Sequence, residues 1–127
     1  MRGLTTFLRF SVVGAAGFAV DAVVFFTLVH VVALAWWAAR VLAFLTAVGV
    51  TWVGNRRYTF GSTEAPAGEG VRYLAVQSGG CLVNYLTFIG CVAWAGADRW
   101  LLMPYVAGTA AGLAFNYTLS RALVFRR

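Results

Sequence analysis

A carboxylate lies in the middle of a long apolar stretch near the start of the chain. Asp21 follows Phe10, where the stretch begins, by 11 residues, which is about 16 Å along a helix. The hydrocarbon core of a bilayer is about 30 Å thick, so a helix crossing it would carry this group near the midplane. A central Asp costs about 2.5 to 3.5 kcal/mol there. We therefore expect it to face the bundle interior, to be protonated, or to pair with a cation or an amide donor.

Amide and hydroxyl side chains occur in the other apolar stretches, each accompanied by small residues at helical spacing. Asn84 lies 63 residues after Asp21, and Thr51 and Asn116 lie in two further stretches. Small residues on one helix face let neighbouring backbones approach closely, which would bring these polar groups together. A structural contact between Asp21 and Asn84 and a role in handling a substrate or a proton are both open interpretations.

The basic residues are all arginines, and most of them flank the apolar stretches. There are ten, and the formal net charge is +6. Arg binds phosphate bidentately, but cations at helix ends also set topology and attract anionic lipid, and the placement fits both roles. Their scatter in ones and twos is unlike a nucleic-acid-binding patch, so no nucleic-acid partner is expected. The candidate phosphate-binding arginines are Arg9, Arg56, Arg57, Arg72 and Arg121.

Arg40 is a separate case, because it lies about two residues inside the outer end of its predicted helix. A long basic side chain at that depth either extends its guanidinium outward to the interface or reaches towards an anion. Extension to the interface is the interpretation that we prefer from the sequence.

Catalytic and metal-binding constellations are missing from the sequence. The acidic residues are Asp21, Glu64, Glu69 and Asp98, and no pair is placed on one element as a hydrolytic or metal site requires. There is also no phosphate-cradling Gly-rich loop with a following Lys, no His-Glu-x-x-His and no Cys-x-x-Cys. We therefore expect no enzyme activity, no catalytic residue, no metal and no cofactor.

The composition indicates that the elements carrying these residues are membrane helices. Hydrophobic residues make up 61% of the 127 residues and charged residues 11%, which would leave a water-soluble domain of this size with large exposed apolar patches. Four continuously apolar stretches, each near the ~20 residues of a helical span, predict an all-α membrane protein and not a β-barrel of alternating strands. They are Phe10–Val32, Ala38–Gly54, Tyr73–Ala95 and Leu101–Leu119.

Four crossings place both chain ends and the central segment on one side of the membrane. Eight arginines fall on that side, whereas Arg40 and Arg99 fall on the other. By the positive-inside rule we expect a multi-pass protein of the cytoplasmic (inner) membrane with both termini in the cytoplasm. A cleavable signal peptide is the rival interpretation of the first stretch, but its 23 residues exceed the typical signal core of about 7 to 15.

The two halves of the chain align as a duplicated helical hairpin. A unit with two crossings returns to its starting side, so the copies share one orientation and form a parallel repeat. This predicts one four-span membrane domain over residues 1–127, with repeat one at 9–60, a flexible linker at 61–71 and repeat two at 72–125. Equivalent positions at a shift of 63 are Arg9 and Arg72, Phe10 and Tyr73, Gly17 and Gly80, and Asp21 and Asn84; at a shift of 65 they are Thr51 and Asn116, Asn55 and Ser120, Arg56 and Arg121, and Phe60 and Phe125.

The end of the second stretch resembles a known family. Its Asn-Arg-Arg-Tyr-Thr-Phe run at 55–60 is similar to the Asn-basic-basic-aromatic-Thr-Phe pattern of the GtrA-like family of small four-helix membrane proteins. The likeness continues in residues 9–14, which lead to Asp21, and in Asn116 to Arg121, and it covers nearly the whole chain. Ser120 departs from the pattern, because it stands where the second helix has Asn55.

The resemblance implies a flippase that moves a polyprenyl-phosphate-linked sugar across the cytoplasmic membrane for cell-surface polysaccharide or glycan synthesis. Its implied partners are this lipid-linked sugar, membrane lipid and a glycosyltransferase. Because four short helices leave little internal room, we expect either a lateral groove or a homo-oligomer. The alternatives are a non-transporting adaptor that recruits a glycosyltransferase and a small proton-coupled exporter. The predicted substrate-binding residues are Arg9, Asp21, Thr51, Asn55, Arg56, Arg57, Arg72, Asn84, Asn116 and Arg121.

Overall fold

A computed structural model describes residues 2–63, 65–95 and 102–125, and the regular secondary structure of these residues is all helical, with no strand. The predicted all-α membrane fold with four long helices is confirmed. Glu64, Asp98 and Arg99, which entered the arguments on chemistry and topology, lie outside the described residues. The helices are α1 (Arg2–His30), α2 (Trp36–Gly54), α3 (Pro66–Ala95) and α4 (Leu102–Leu119).

Three stretches of the described chain are long and apolar enough to cross a membrane: Gly3–His30, Ala38–Phe60 and Pro66–Trp94. At most 17% of the most apolar window of each is buried inside the protein, which suits side chains that face lipid. α4 is not among the three. α1 and α3 also begin about two turns before the predicted spans.

The chain divides into two compact units, one running up to Pro66 and the other beginning at Ala67. Unit 1 contains α1 and α2, and unit 2 contains α3 and α4. Residues 66–71, which the sequence predicted to be part of a flexible linker, belong instead to α3. Proline suits the first position of a helix and an acidic group its first turn, and Pro66 and Glu69 provide both.

Both α2 and α4 continue directly into a π-helical turn, a rare element in proteins. We call these turns π1 (Asn55–Phe60) and π2 (Ser120–Val124). Each is closed by a backbone N–H that donates to a carbonyl five residues earlier, from Gly61 to Arg56 and from Phe125 to Ser120. Gly61 ends π1 in the left-handed conformation, with φ of 61°, which glycine adopts without steric penalty.

In unit 1, α1 and α2 approach each other most closely at two glycines. A Cβ atom on Gly17 would collide with Cγ2 of Thr51, and a Cβ on Gly54 would lie 2.9 Å from Val13 Cγ1. Real Cβ atoms do not come this close to other atoms, so the packing requires the missing side chains. The small residue on each helix therefore accepts a side chain from the other helix.

In unit 2, α3 and α4 meet in the same manner. A Cβ on Gly80 would collide with the Asn116 amide, and a Cβ on Gly108 would lie 2.7 Å from the Asn84 carbonyl oxygen. A Cβ on Gly112 would come within 3.0 Å of the Gly80 carbonyl oxygen. Gly80 and Asn116 are the predicted equivalents of Gly17 and Thr51, so each unit has its glycine contact at the same place in the hairpin.

We predict that Gly17→Ala lowers the free energy of unfolding by about 1 to 3 kcal/mol, since the added methyl group overpacks the contact with Thr51. Gly14→Ala is the matched control, because a Cβ at Gly14 meets nothing within 4 Å. Thermal unfolding of the full chain in a neutral detergent measures both variants, and we expect the control to be neutral or slightly stabilising.

A Thr51→Ala background removes the methyl group with which the new Cβ collides. In that background we expect Gly17→Ala to lose most of its cost, which a double-mutant cycle detects. Equal destabilisation by Gly14→Ala and Gly17→Ala would contradict the close contact.

Candidate functional site

The same buried aromatic pair closes one end of each unit. In unit 1 the rings of Phe10 and Phe60 lie edge to face with centroids 6.2 Å apart, and in unit 2 those of Tyr73 and Phe125 lie 5.8 Å apart. All four side chains are buried. Such pairs contribute about 0.5 to 1.5 kcal/mol beyond their buried area. The pairs fix the position of the polar residues that flank each ring in sequence.

The π turns explain how a polar residue and an aromatic residue five positions later face the same neighbouring helix. In an α-helix two such residues would point about 140° apart, whereas the wider π turn brings them to one side. Asn55 and Phe60 are both buried in π1, and Ser120 and Phe125 are both buried at π2. Asn55 is only 1% exposed, and its Oδ1 accepts a hydrogen bond of 2.8 Å from the buried Thr59 hydroxyl.

Three arginines surround the π1 end of unit 1, and we call them the unit 1 rim: Arg9, Arg56 and Arg57. Arg9 donates from Nη1 to the Tyr58 carbonyl oxygen at 3.3 Å. Arg56 lies with its guanidinium carbon 5.9 Å from the centroid of a Trp52 ring, while Arg57 is exposed. A guanidinium has five N–H donors, so the one bond between Arg9 and Tyr58 leaves further donors for an anion.

The π2 end of unit 2 has two arginines, Arg72 and Arg121, which we call the unit 2 rim. Both are exposed, and Arg72 Nη1 comes within 3.6 Å of a Cβ placed on Gly68, one turn earlier on α3. Glu69, beside Gly68, is fully buried. In each unit, one rim arginine precedes the buried aromatic residue of the first helix and another follows the first residue of the π turn.

Asp21 and Arg40 form an ion pair within unit 1. Arg40 Nη1 donates to Asp21 Oδ2 at 2.7 Å, and the Arg40 guanidinium lies 5.8 Å from the centre of the Phe25 ring. Among the three states expected for Asp21, the structure has it paired with a cation. The preferred interpretation of Arg40, extension to the interface, is wrong, because a carboxylate one helix away is a stronger partner than water at that depth.

The remaining predicted polar residues are largely engaged in packing. The Thr51 hydroxyl donates to the Ala47 carbonyl at 2.9 Å and also lies 3.1 Å from the Val48 carbonyl. Asn84 packs against Gly108. Oδ1 of Asn116 is buried and has no hydrogen-bond partner within the part of the chain that the structure describes, and the same holds for the Ser120 hydroxyl.

The structure thus groups the predicted site residues by unit. The three arginines of the unit 1 rim share one end with Asn55, and the two arginines of the unit 2 rim share one end with Ser120. Asp21 is joined to Arg40, while its contact with Asn84 stays a prediction, since Asn84 belongs to unit 2. Within residues 2–63, 65–95 and 102–125, no three His, Cys, Asp or Glu side chains cluster as metal ligands.

Two charged residues have an environment in the structure that the predicted site and linker do not include. Arg40 is not among the predicted site residues, although an Asp and an Arg in the same half of two consecutive spans are natural partners. Glu69 lies in the predicted linker, although a Pro three residues earlier marks a helix start. Neither signal depends on tertiary structure, so both were available from the sequence.

The sequence from residue 9 to residue 125 matches the family model described as GtrA/DPMS, transmembrane domain. The match begins at Arg9 of the unit 1 rim and ends at Phe125, the aromatic residue that closes unit 2. It therefore includes both glycine contacts, both π turns and every predicted site residue. A comparison with curated proteins gives no match.

We predict that Thr59→Val destabilises the protein by about 1 to 3 kcal/mol, since it removes the hydroxyl donor from the buried Asn55 amide oxygen. Thr46→Val is the matched control, because Thr46 is exposed and its hydroxyl bonds only to the carbonyl of its own helix at Leu42. Thermal unfolding in neutral detergent compares the two variants.

Thr59→Ser, which keeps a hydroxyl, is expected to recover most of the loss. A Thr59→Val protein as stable as the Thr46→Val protein would show that the buried hydrogen bond does not hold the π turn.

Proposed function

The chain belongs to the GtrA/DPMS transmembrane-domain family, and on that premise we propose that it translocates a polyprenyl-phosphate-linked sugar between the leaflets of the cytoplasmic membrane. Membership connects the protein with the handling of polyprenyl-phosphate sugars in a membrane. Translocation, the inner membrane and the cytoplasmic placement of both termini are parts of the proposal. So is the role in cell-surface polysaccharide or glycan synthesis.

The observation that carries the proposal is the repeated placement of the rim arginines. Arg9 and Arg72 each precede a buried aromatic residue, and Arg56 and Arg121 each follow the first residue of a π turn. Positive-inside charge alone requires arginines on this side but does not require them at equivalent positions of two units. A negatively charged ligand that each unit can bind in the same way gives a reason for the repetition.

A lipid-linked phosphate would use these arginines in a defined manner. Its phosphodiester carries a negative charge at the level of the lipid headgroups, and guanidinium groups bind phosphate oxygens in pairs. Arg9 is already oriented by the Tyr58 carbonyl, which reduces the side-chain freedom that is lost on binding. The rims would therefore collect the phosphate from the cytoplasmic leaflet.

The other two parts of such a substrate need different surfaces. A polyprenyl chain is as apolar as the lipid tails, so it can stay in the bilayer along exposed apolar side chains such as Val12, Phe18 and Val23 of α1. The sugar is polar and needs hydrogen-bonding groups on its way across. In unit 1 the charged pair Asp21 and Arg40 is the strongest group of this kind between the helix ends.

Recruitment of a glycosyltransferase is the alternative that shares most of these features, since exposed Arg57 and Tyr58 offer a docking surface at the π1 end. It differs in requiring no movement of lipid. Proton-coupled export, the third function considered, requires the Asp21 carboxylate to leave its ion pair with Arg40 in each cycle.

We predict that the purified chain in proteoliposomes moves short-chain polyprenyl-phosphate-glucose from the inner to the outer leaflet. Periodate added outside the vesicles then oxidises the glucose and reports the transfer. Arg9→Gln and Arg72→Gln should each slow the exchange about 10-fold to 100-fold, the equivalent of one or two lost charge-assisted hydrogen bonds. Arg9→Lys keeps the charge but loses the planar fork, so an intermediate rate is expected.

Arg2→Gln removes one positive charge outside the rims and is the control for net charge. Its rate should equal that of the unaltered protein. Oxidation that stops at the outer-leaflet pool, with correctly folded protein present, would exclude translocation of this lipid and favour the adaptor.

A further inference from the structure

The ion pair between Asp21 and Arg40 leaves hydrogen-bonding groups of both residues without partners among the described residues. It is joined by one nitrogen and one oxygen, 2.7 Å apart, and the side chain of Arg40 is 53% exposed while that of Asp21 is 14% exposed. This is the one hydrogen bond that the described part of the chain gives Arg40, although a guanidinium has five N–H donors. The other carboxylate oxygen, Asp21 Oδ1, is buried and has no partner among the described residues.

The pair lies within the apolar spans and away from the rims. Asp21 precedes the end of α1 at His30 by nine residues, about 13 Å, and Arg40 lies one turn into α2. With the predicted orientation, this is the outer half of the bilayer. N–H donors of a guanidinium that lack a hydrogen-bond partner are costly in hydrocarbon, so we expect an acceptor at the exposed edge of Arg40.

The hairpin of unit 2 has no counterpart of this ion pair. Unit 2 has the same glycine contact, the same aromatic pair and the same π turn, yet its residues equivalent to Asp21 and Arg40 are Asn84 and Tyr105, which carry no such charges. A salt bridge that was needed to hold two helices together would be expected in both units. The difference between the units favours a role for these charges other than helix packing.

We propose that Arg40 binds the phosphate group of the lipid-linked substrate in the outer half of the membrane. This inference rests on the proposed translocation and adds to it a second phosphate-binding position beyond the rims. The exposed edge of the guanidinium takes two phosphate oxygens while Nη1 stays on Asp21. A phosphate is the anion that the substrate itself brings to this depth.

Asp21 has two effects as a positioning residue in this arrangement. It holds the Arg40 side chain at one nitrogen, and the Phe25 ring beneath the guanidinium supports the same orientation. Its negative charge also weakens the attraction of Arg40 for a second anion, which favours release of the phosphate. Binding at Arg40 is thereby kept transient, as transfer to the outer leaflet requires.

The test locates the phosphate directly. Farnesyl phosphate carrying a diazirine beside its phosphate is photolysed with the full-length protein in phosphatidylcholine vesicles, and crosslinked residues are identified by mass spectrometry. We expect crosslinks around Phe25 as well as at the rims. Arg40→Gln should reduce the Phe25 crosslinks about tenfold, equivalent to about 1.4 kcal/mol, and leave the rim crosslinks unchanged.

The carboxylate is tested with two further variants. Asp21→Asn should increase the Phe25 crosslinks severalfold, because Arg40 is freed from a competing anion. The exchanged pair Asp21→Arg with Arg40→Asp keeps an ion pair but turns the guanidinium to the buried side, so we expect normal thermal stability without Phe25 crosslinks. If the exchanged variant has both the thermal stability and the Phe25 crosslinks of the unaltered protein, the proposal is overturned in favour of a structural ion pair.

Competition identifies the source of the phosphate. Unlabelled farnesyl phosphate should suppress the Phe25 crosslinks more strongly than phosphatidic acid does, and inorganic phosphate should have no effect. Equal suppression by all three would overturn the assignment to the lipid-linked substrate.

The outcome also separates this proposal from the one on which it rests. Rim crosslinks and translocation without Phe25 crosslinks would overturn the role of Arg40 and leave translocation standing. Absence of both crosslinks and translocation would overturn translocation itself, and the role of Arg40 with it.

Discussion

Two apolar helices in a bilayer gain little by burying apolar surface against each other, because lipid tails are just as apolar. What holds each hairpin of this protein is the approach of one backbone to the side chain of the opposite helix, at Gly17 and Thr51 in unit 1 and at Gly80 and Asn116 in unit 2. The aromatic pairs and the π turns complete the same arrangement towards one end. The arginine rims depend on it, since they flank residues that these contacts fix.

The sequence predicts much of this arrangement, since the arrangement follows from small, polar and aromatic residues at fixed spacings. The apolar stretches give four helices, and the shifts of 63 and 65 relate the glycines and aromatic residues that later prove to be in equivalent contacts. The π turns are harder to predict, although a polar residue and an aromatic residue five positions later occur at both. A helical period of 3.6 places two such residues on different faces, so the pattern of an α-helix does not relate them.

The charged residues show where pattern reasoning fails. A single long cation near a helix end usually extends outward, which predicts an interfacial Arg40 as long as its helix is considered alone. The actual partner, Asp21, lies on the preceding helix, and only the packing of α1 on α2 brings the two within hydrogen-bonding distance. Glu69 was misplaced for a related reason: small and polar residues around it resemble a linker, whereas the helix begins at Pro66 and buries it.

The π turns also have a consequence for how the chain can change in length. A π turn contains one residue more than the α turn that it replaces, so the end of each hairpin is equivalent to an α-helix with one inserted residue. Deleting one residue there would restore an ordinary helix and rotate everything beyond it by about 100°. The end of each hairpin thus has two orientations, one for an α turn and one for a π turn. Phe60 and Phe125 contact their aromatic neighbours in the orientation that the π turn gives.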